Sequence, residues 1–371
     1  MHVERLKLTN FRNYAAASIS FDGRHVVLTG DNGAGKTNLM EAVSLLTPGR
    51  GLRRAAYSDM PMAANGEGFS VFATVDGMEG EVDIGTGYDP TDETGRKVRI
   101  NGATAKSVDT LLDHLRILWL TPAMDGLFTG PAGDRRRFLD RLVLSIDPAH
   151  GKRALDYERA MRGRNRLLAE GRSDPVWLDG LEAQMAELGI AILLARREVA
   201  GLLSALVERH ADAEAFPTAR LTLEGFAPAD GELAASDMES WFAGELRAGR
   251  YRDAATGRTL EGPHRMDLAV FHARKEIAAA LCSTGEQKAL MIGLILAHAR
   301  LVRDLTRHPP LLLLDEIAAH LDEGRRAALF DLVCDLGGQA FMTGTDRALF
   351  SALGERGQRF HVESGTVTAI G

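Results

Sequence analysis

Cysteine is almost missing from this 371-residue chain: Cys282 and Cys334 stand alone and far apart. With no C-x-x-C pair, a cysteine-based zinc site is excluded, and the scarcity suits a reducing compartment. Long apolar runs are missing too; none approaches the roughly eighteen residues of a membrane span. The opening "MHVERLKLTNFRNY" carries charges where a signal peptide would have its apolar core. A cytoplasmic protein with no membrane partner is therefore expected. Histidines and carboxylates show no compact metal-ligand spacing. Positive charge is in deficit as well, with a net charge of −7, so a nucleic-acid partner would have to be held by a local basic patch. What remains, 45% apolar and 26% charged residues, describes an ordinary globular protein large enough for two or three domains.

"RHVVLTGDNGAGKTNLMEAVSLL" reads as strand, loop, helix. His25 to Thr29 is a β-branched run suited to a buried strand, and Leu39, Val43 and Leu46 share one face of the helix that follows. Between them Gly30, Asp31, Asn32, Gly33, Ala34, Gly35, Lys36 and Thr37 fit G-x-x-x-x-G-K-[ST]. Glycines let backbone N–H groups turn toward phosphate oxygens, and Lys36 supplies a compact charge for the β- and γ-phosphates. The Thr37 hydroxyl is a Mg²⁺ ligand in this pattern, and the helix dipole adds partial positive charge. ATP and Mg²⁺ are the expected cofactors.

A second apolar run, Leu311 to Leu314, is short enough for a central parallel strand and ends in Asp315 and Glu316. Acids at the carboxyl end of such a strand sit where ligands bind in open α/β sheets. Asp315 is expected to hold Mg²⁺ through water, and Glu316 to polarise the water that attacks the γ-phosphate; with Lys36 these are the catalytic candidates. "AFMTGTD" (340–346) reads as the next strand and a loop, in which Thr343 or Asp346 would have to serve as the γ-phosphate switch, because no histidine is present there.

"CSTGEQKAL" (282–290) raises two readings. Ser283 and Glu286 make a capping box for the helix that follows. Alternatively Ser283, Thr284, Gly285, Glu286 and Gln287 hold an anion, since a glycine in a helix's first turn destabilises it unless something approaches closely. The order of phosphate loop, S-T-G-E-Q, D-E strand and "AHLD", with His320, Leu321 and Asp322, resembles ABC-type ATPases. In that architecture the Ser-Gly signature faces outward and completes the site of a second copy, so the resemblance implies an ATP-bound homodimer with C2 symmetry.

Taken together, "LTNFRNY" (8–14), "GDNGAGKTNLMEAVSLLTPGR" (30–50), "GDRRRFLDRL" (133–142), "GPHRMDL" (262–268), "CSTGEQKAL" and "LLLLDEIAAHLD" (311–322) resemble the RecF family of bacterial recombination and gap-repair ATPases over nearly the whole chain. The resemblance implies an α/β ABC-type ATPase head with a P-loop sheet and an inserted α-helical coiled-coil arm. It also implies ATP-dependent dimerisation, weak DNA-stimulated ATP hydrolysis, DNA binding, and action with RecR, RecO and RecA in gap repair and the SOS response. Two departures stand out: Ala123 and Met124 replace an acidic pair after the "TP" proline, and Met266 replaces an aspartate in "GPHRMD".

The pattern changes between about Gly133 and Asp253. Leu178, Leu181, Met185, Leu188, Ile192, Ala195, Val199, Leu202 and Leu206 recur at steps of three and four, a coiled-coil seam. Ala154, Tyr157, Met161 and Leu168 fit an antiparallel partner interrupted by Arg164, with "EGRSDP" (170–175) as the turn. The expected division is a head of residues 1–132 and 254–371 and an arm of 133–253. Residues 134–172 hold 11 Lys or Arg against 6 Asp or Glu. Arg135, Arg136, Arg137, Arg162 and Arg166 are candidate contacts to DNA phosphates, without a base-reading motif. His264 and Arg265 are either functional or a turn into a strand. The transporter nucleotide-binding subunit is the rival reading, and a nuclease would need an acidic cluster that is not apparent.

Overall fold

The computed structural model describes residues 1–62, 67–92, 95–171, 175–209, 215–228 and 233–370. Its strands, in chain order, are β1 His2–Phe11, β2 Tyr14–Ser20, β3 His25–Thr29, β4 Phe69–Gly77, β5 Gly80–Tyr88, β6 Arg96–Ile100, β7 Ala103–Thr104, β8 Ile117–Leu120, β9 Ala219–Glu224, β10 Asp267–His272, β11 Ile277–Ala278, β12 Leu311–Leu314, β13 Ala340–Gly344, β14 Gly357–Glu363 and β15 Thr366–Ile370. Its helices are α1 Lys36–Ser44, α2 Ala132–Leu144, α3 His150–Glu170, α4 Pro175–Arg209, α5 Ala235–Thr256, α6 Thr284–Thr306 and α7 Glu323–Leu336. The chain divides into two compact units. One comprises Met1–Asp125, Asp212–Pro217 and Ser283–Gly371; the other Gly126–Ala211 and Thr218–Cys282.

The first unit holds two six-stranded sheets. One is antiparallel, ordered β2-β1-β4-β5-β6-β7; the other is ordered β15-β14-β3-β13-β12-β8 and is parallel except at its β15 edge. Every residue of β3, β12 and β13 is buried, which is why these strands read as unbroken apolar runs and not as alternation. Each leucine of β12 so buried stabilises the fold by about 2 kcal/mol. Inward residues of the antiparallel sheet, including Val3, Leu6 and Val71, share one core with Leu28, Val43, Leu313 and Phe341. β13 lies between β3 and β12, so the loops after all three strands emerge side by side at the carboxyl edge.

The second unit packs α3, α4 and α5 with the three-stranded sheet β11-β10-β9. The expected seam on α4 is there: Leu178, Met185, Ile192 and Val199 are buried. The helix also buries Ala186, Ile190 and Leu193, so α4 is covered on two sides, by α3 and α5, and the arm is more than a two-helix hairpin. Gly189 allows this, since a Cβ there would lie 2.7 Å from Phe242 Cε1 and 3.3 Å from Tyr157 Cε2. Part of the predicted "EGRSDP" turn, residues 172–174, lies outside the described residues. Residues 254–282, which the sequence-based division placed in the head, pack in this unit because β10 pairs along its length with β9.

Arg164, which breaks the apolar series on α3, is fully buried. Its guanidinium donates to Glu182 Oε1 at 2.9 Å, Asp253 Oδ2 at 2.7 Å, Thr259 Oγ1 at 3.0 Å and the Leu246 carbonyl at 2.7 Å. One side chain thereby ties α3, α4, α5 and the segment after α5 together.

Candidate nucleotide site

The strand-loop-helix seen in the sequence is built from β3 and α1. Gly30 leaves β3 at φ 147°, and a Cβ there would fall 2.1 Å from the Val362 carbonyl oxygen of neighbouring β14. No other residue fits. Gly35, at φ 121°, is also confined, by Asn13 and Tyr14. Asp31, Asn32 and Gly33 are exposed at the loop crest. The Lys36 ammonium is buried and donates to the carbonyls of Gly30 at 2.6 Å and Asp31 at 2.8 Å. Burial holds its pKa below 10.5, partly offset by the charges of Glu316, Asp315 and Asp31. A desolvated cation beside a helix N-terminus is suited to phosphate oxygens.

Asp315 leaves β12 directly beside this loop. The Thr37 hydroxyl lies 3.1 Å from both Asp315 carboxylate oxygens. A hydroxyl and a carboxylate in contact form the hard oxygen set that Mg²⁺ accepts, so these residues fit the ion, which would neutralise phosphate charge there. Register explains the next link. Leu314 pairs with Met342, so Thr343 stands next to Asp315. The fully buried Thr343 hydroxyl donates to Asp315 Oδ1 at 2.7 Å and accepts from the Glu316 backbone N–H at 2.9 Å. Glu316 sits in the left-handed region at φ 52°, a conformation that costs a non-glycine residue and clusters at functional sites.

Both switch candidates are engaged within this chain: the Thr343 hydroxyl bridges Asp315 and the Glu316 N–H. Asp346 caps the segment Arg347–Arg356 by accepting from the Ala348 N–H at 2.8 Å. Asp322 caps α7 in the same way, through the Arg325 N–H at 2.8 Å, and Leu321 is buried. His320 closes a short 3-10 turn; its side chain lies outside the described residues.

At the start of α6 the capping box is present. The Ser283 hydroxyl receives the Glu286 N–H at 3.4 Å, and the Glu286 carboxylate takes the Ser283 N–H at 3.0 Å. Ser283, Thr284 and Gly285 are exposed, and Gln287 is buried. A Cβ on Gly285 would meet nothing within 4 Å, so none of the described residues approaches that glycine closely. Asp125, in the "TPAMD" segment, lies 3.4 Å from the Lys288 ammonium on the same helix.

The sequence reading missed the support of the phosphate loop. Asn13 donates to the Ala34 carbonyl at 2.9 Å and accepts from Asn38 at 2.7 Å, and the Tyr14 hydroxyl donates to the Gly35 carbonyl at 3.0 Å. Burial pushes the Tyr14 phenol far above its usual range, keeping it a neutral donor. Arg12 makes two 2.8 Å bonds to Glu41, a fully buried carboxylate on α1. The available signal was the "NFRNY" block itself, whose polar residues follow a strand and have no local partner.

Of the arginines proposed for DNA, two are committed inside the second unit. Arg135 is bidentate to Asp267, at 2.7 and 2.6 Å, and Arg136 donates to the Met266 carbonyl at 2.6 Å. Arg137 is exposed and paired with Asp134; Arg162 is exposed, 3.7 Å from Glu158; Arg166 is exposed. The basic run therefore shrinks, because half-buried guanidinium groups need partners and find them in the fold. His264 is likewise structural, bonded to the Tyr157 hydroxyl and the Thr259 carbonyl, each at 3.0 Å, with burial lowering its pKa.

A parallel sheet with a phosphate loop after one strand, acids after another and a Ser-Gly helix start defines an ABC-type ATPase head of the SMC-like kind. Comparison with known folds agrees. A solved structure described as the recombination mediator protein RecF with ATPrS superposes with a TM-score of 0.88 at 24% identity, covering 100% of this chain and 98% of that one. An Smc head domain from Pyrococcus furiosus gives 0.55 at 17%, covering 100% and 96%. At such identities the likeness shows the fold alone. The family described as "RecF/RecN/SMC N terminal domain" matches residues 2–368. Proteins named DNA replication and repair protein RecF are 68% identical in Rhizobium rhizogenes and 65% in Agrobacterium fabrum, each over 99% of this chain and 98% of the relative. The chain belongs to the RecF family.

Proposed function

We propose that the chain is an ATP-dependent DNA-binding switch of recombinational gap repair. ATP and Mg²⁺ bind at Lys36, Thr37 and Asp315 and draw two copies into a C2 dimer that clamps DNA without reading its sequence. Slow, DNA-stimulated hydrolysis, with Glu316 orienting the water, releases the clamp. The relatives' name and the RecFOR pathway given for the superposable structure support a role in recombinational repair; action beside RecR and RecO, RecA loading, SOS induction and a cytoplasmic location complete the proposal.

The observation that carries the dimer is the exposed helix start at Ser283–Gly285, with open space above Gly285. A first-turn glycine with no close neighbour among the described residues is accounted for by a neighbour outside the chain: the γ-phosphate held by the Lys36 of a second copy. Product lacking that phosphate loosens the pair. The sequence also suits a transporter subunit, but family membership removes the reason to prefer it. The test is sedimentation with and without ATP. Wild type shifts from monomer to dimer, whereas Ser283→Arg binds nucleotide and stays monomeric. A Ser283→Arg protein that still dimerises with ATP refutes the in-trans contact.

A further inference from the structure

The antiparallel sheet of the first unit turns one face to its core and leaves the other uncovered. On the open face the register aligns Lys7, Phe72, Gly85 and Arg99 in one row across β1, β4, β5 and β6. The next row contains Ser70, Gly87 and Lys97. Lys7, Lys97 and Arg99 are exposed and Phe72 is half-buried, with the Lys7 ammonium 5.7 Å from its ring centroid. Because β5 carries glycine in both rows, a channel runs between Phe72 and Arg99. The groove there measures about 520 Å³.

We propose that this face binds single-stranded nucleic acid, crossing the sheet with a base seated in the glycine channel against Phe72 and phosphates held by Lys7 on one side and Arg99 on the other. The inference rests on the DNA-binding reading above. Cations on β1 and β6 with an aromatic ring on β4 between them are what a sequence-tolerant single-strand platform requires. Lys7 and Arg99 stand three strand spacings apart, about 14 Å. The channel itself spans two, about 10 Å, too narrow for a duplex whose two grooves alone measure about 12 and 6 Å across. An extended acidic peptide fits less well, since β1, β4 and β5 have neighbours on both sides and β6 is paired with β7 at Arg99 and Ile100, which leaves it little main chain to bond. The acids that line the groove do not sit in these two rows. Asp83 stands opposite Thr74 and takes its hydroxyl at 2.9 Å, and Asp89 accepts from Thr91 at 2.6 Å. Lys97 is paired with Asp92, which leaves Lys7 and Arg99 as the principal phosphate holders.

Gly85 provides the test. A Cβ there meets only Arg99 Cβ, at 3.8 Å, so Gly85→Val is accommodated by the strand while its side chain fills the channel. With the full-length protein, a fluorescein-labelled oligo(dT) of about 20 nucleotides is followed by anisotropy across a salt series. Gly85→Val is expected to weaken its binding about tenfold or more, and Arg99→Ala to lower the salt slope by about 0.7, with ATP and duplex binding unchanged. If both variants bind oligo(dT) as wild type does, the site is elsewhere and the proposal falls. If wild type binds duplex but not oligo(dT), the proposal falls while the DNA-switch reading stands. If wild type binds neither DNA at low salt, that broader reading fails and this one with it. If a labelled Glu-rich peptide is lost on Gly85→Val while oligo(dT) binding persists, the face is a peptide surface and the assignment is overturned.

Discussion

Replacing Thr343 by valine keeps the side chain's shape and removes only its hydroxyl. That oxygen is fully buried and makes two bonds, to Asp315 Oδ1 at 2.7 Å and from the Glu316 N–H at 2.9 Å. Asp315 retains its contact with Thr37 at 3.1 Å, so the Glu316 amide bears most of the penalty. A buried amide left unpaired costs about 1–3 kcal/mol, and a fall in stability of about 2 kcal/mol is expected. The larger effect is on catalysis. Glu316 is held at φ 52° partly by this bond, and letting a reacting group drift by about 1 Å lowers rates by about a hundredfold. Steady-state phosphate release at saturating ATP and DNA should fall by that order, while nucleotide affinity, set by the Gly30–Thr37 loop, changes little. Thr343→Ser keeps the hydroxyl and should restore turnover. A Thr343→Val protein within about threefold of wild-type turnover, about 0.7 kcal/mol in barrier, refutes the bridging role.

Two other perturbations follow from the same physics. Arg164→Met leaves Asp253 buried without its cation, while Glu182 keeps Arg250, and should cost about 3 kcal/mol in urea unfolding; a loss below about 1 kcal/mol contradicts the arrangement. Because burial lowers the pKa of Lys36, the nucleotide-free protein holds that proton less tightly than its unfolded chain. Stability from this group therefore rises as pH climbs through the lowered pKa toward 10.5. Nucleotide affinity should fall over the same window, and an affinity flat up to pH 10.5 counts against a desolvated lysine.

Which parts were legible in the sequence follows from how local their physics is. The phosphate loop occupies eight consecutive residues, and its backbone is dictated by glycines whose positive φ angles no other residue adopts cheaply. The acidic pair announced itself by following a four-leucine strand. The bridge made by Thr343 was not legible because its partners lie 27 and 28 residues away, across neighbouring strands. The internal partners of the basic run were hidden for the same reason. Arg135 and Asp267 are 132 residues apart, and nothing near either one shows that they meet. Asn13, Tyr14 and Glu41 went unnoticed because each is polar in a position where polarity alone predicts exposure.

From residues alone came three strands of the buried parallel sheet, β3, β12 and β13, the anion-holding loop, the acids and the heptad helix, since periodicity, glycine and capping are short-range effects. Only the tertiary structure decided which charges remain available to a ligand. Burial obliges every ionised group to find a counter-charge or a carbonyl, and that choice is made by strand order and helix packing. The same packing left one sheet face with its lysine and arginine turned outward, and gave the buried Arg164 a wholly internal task.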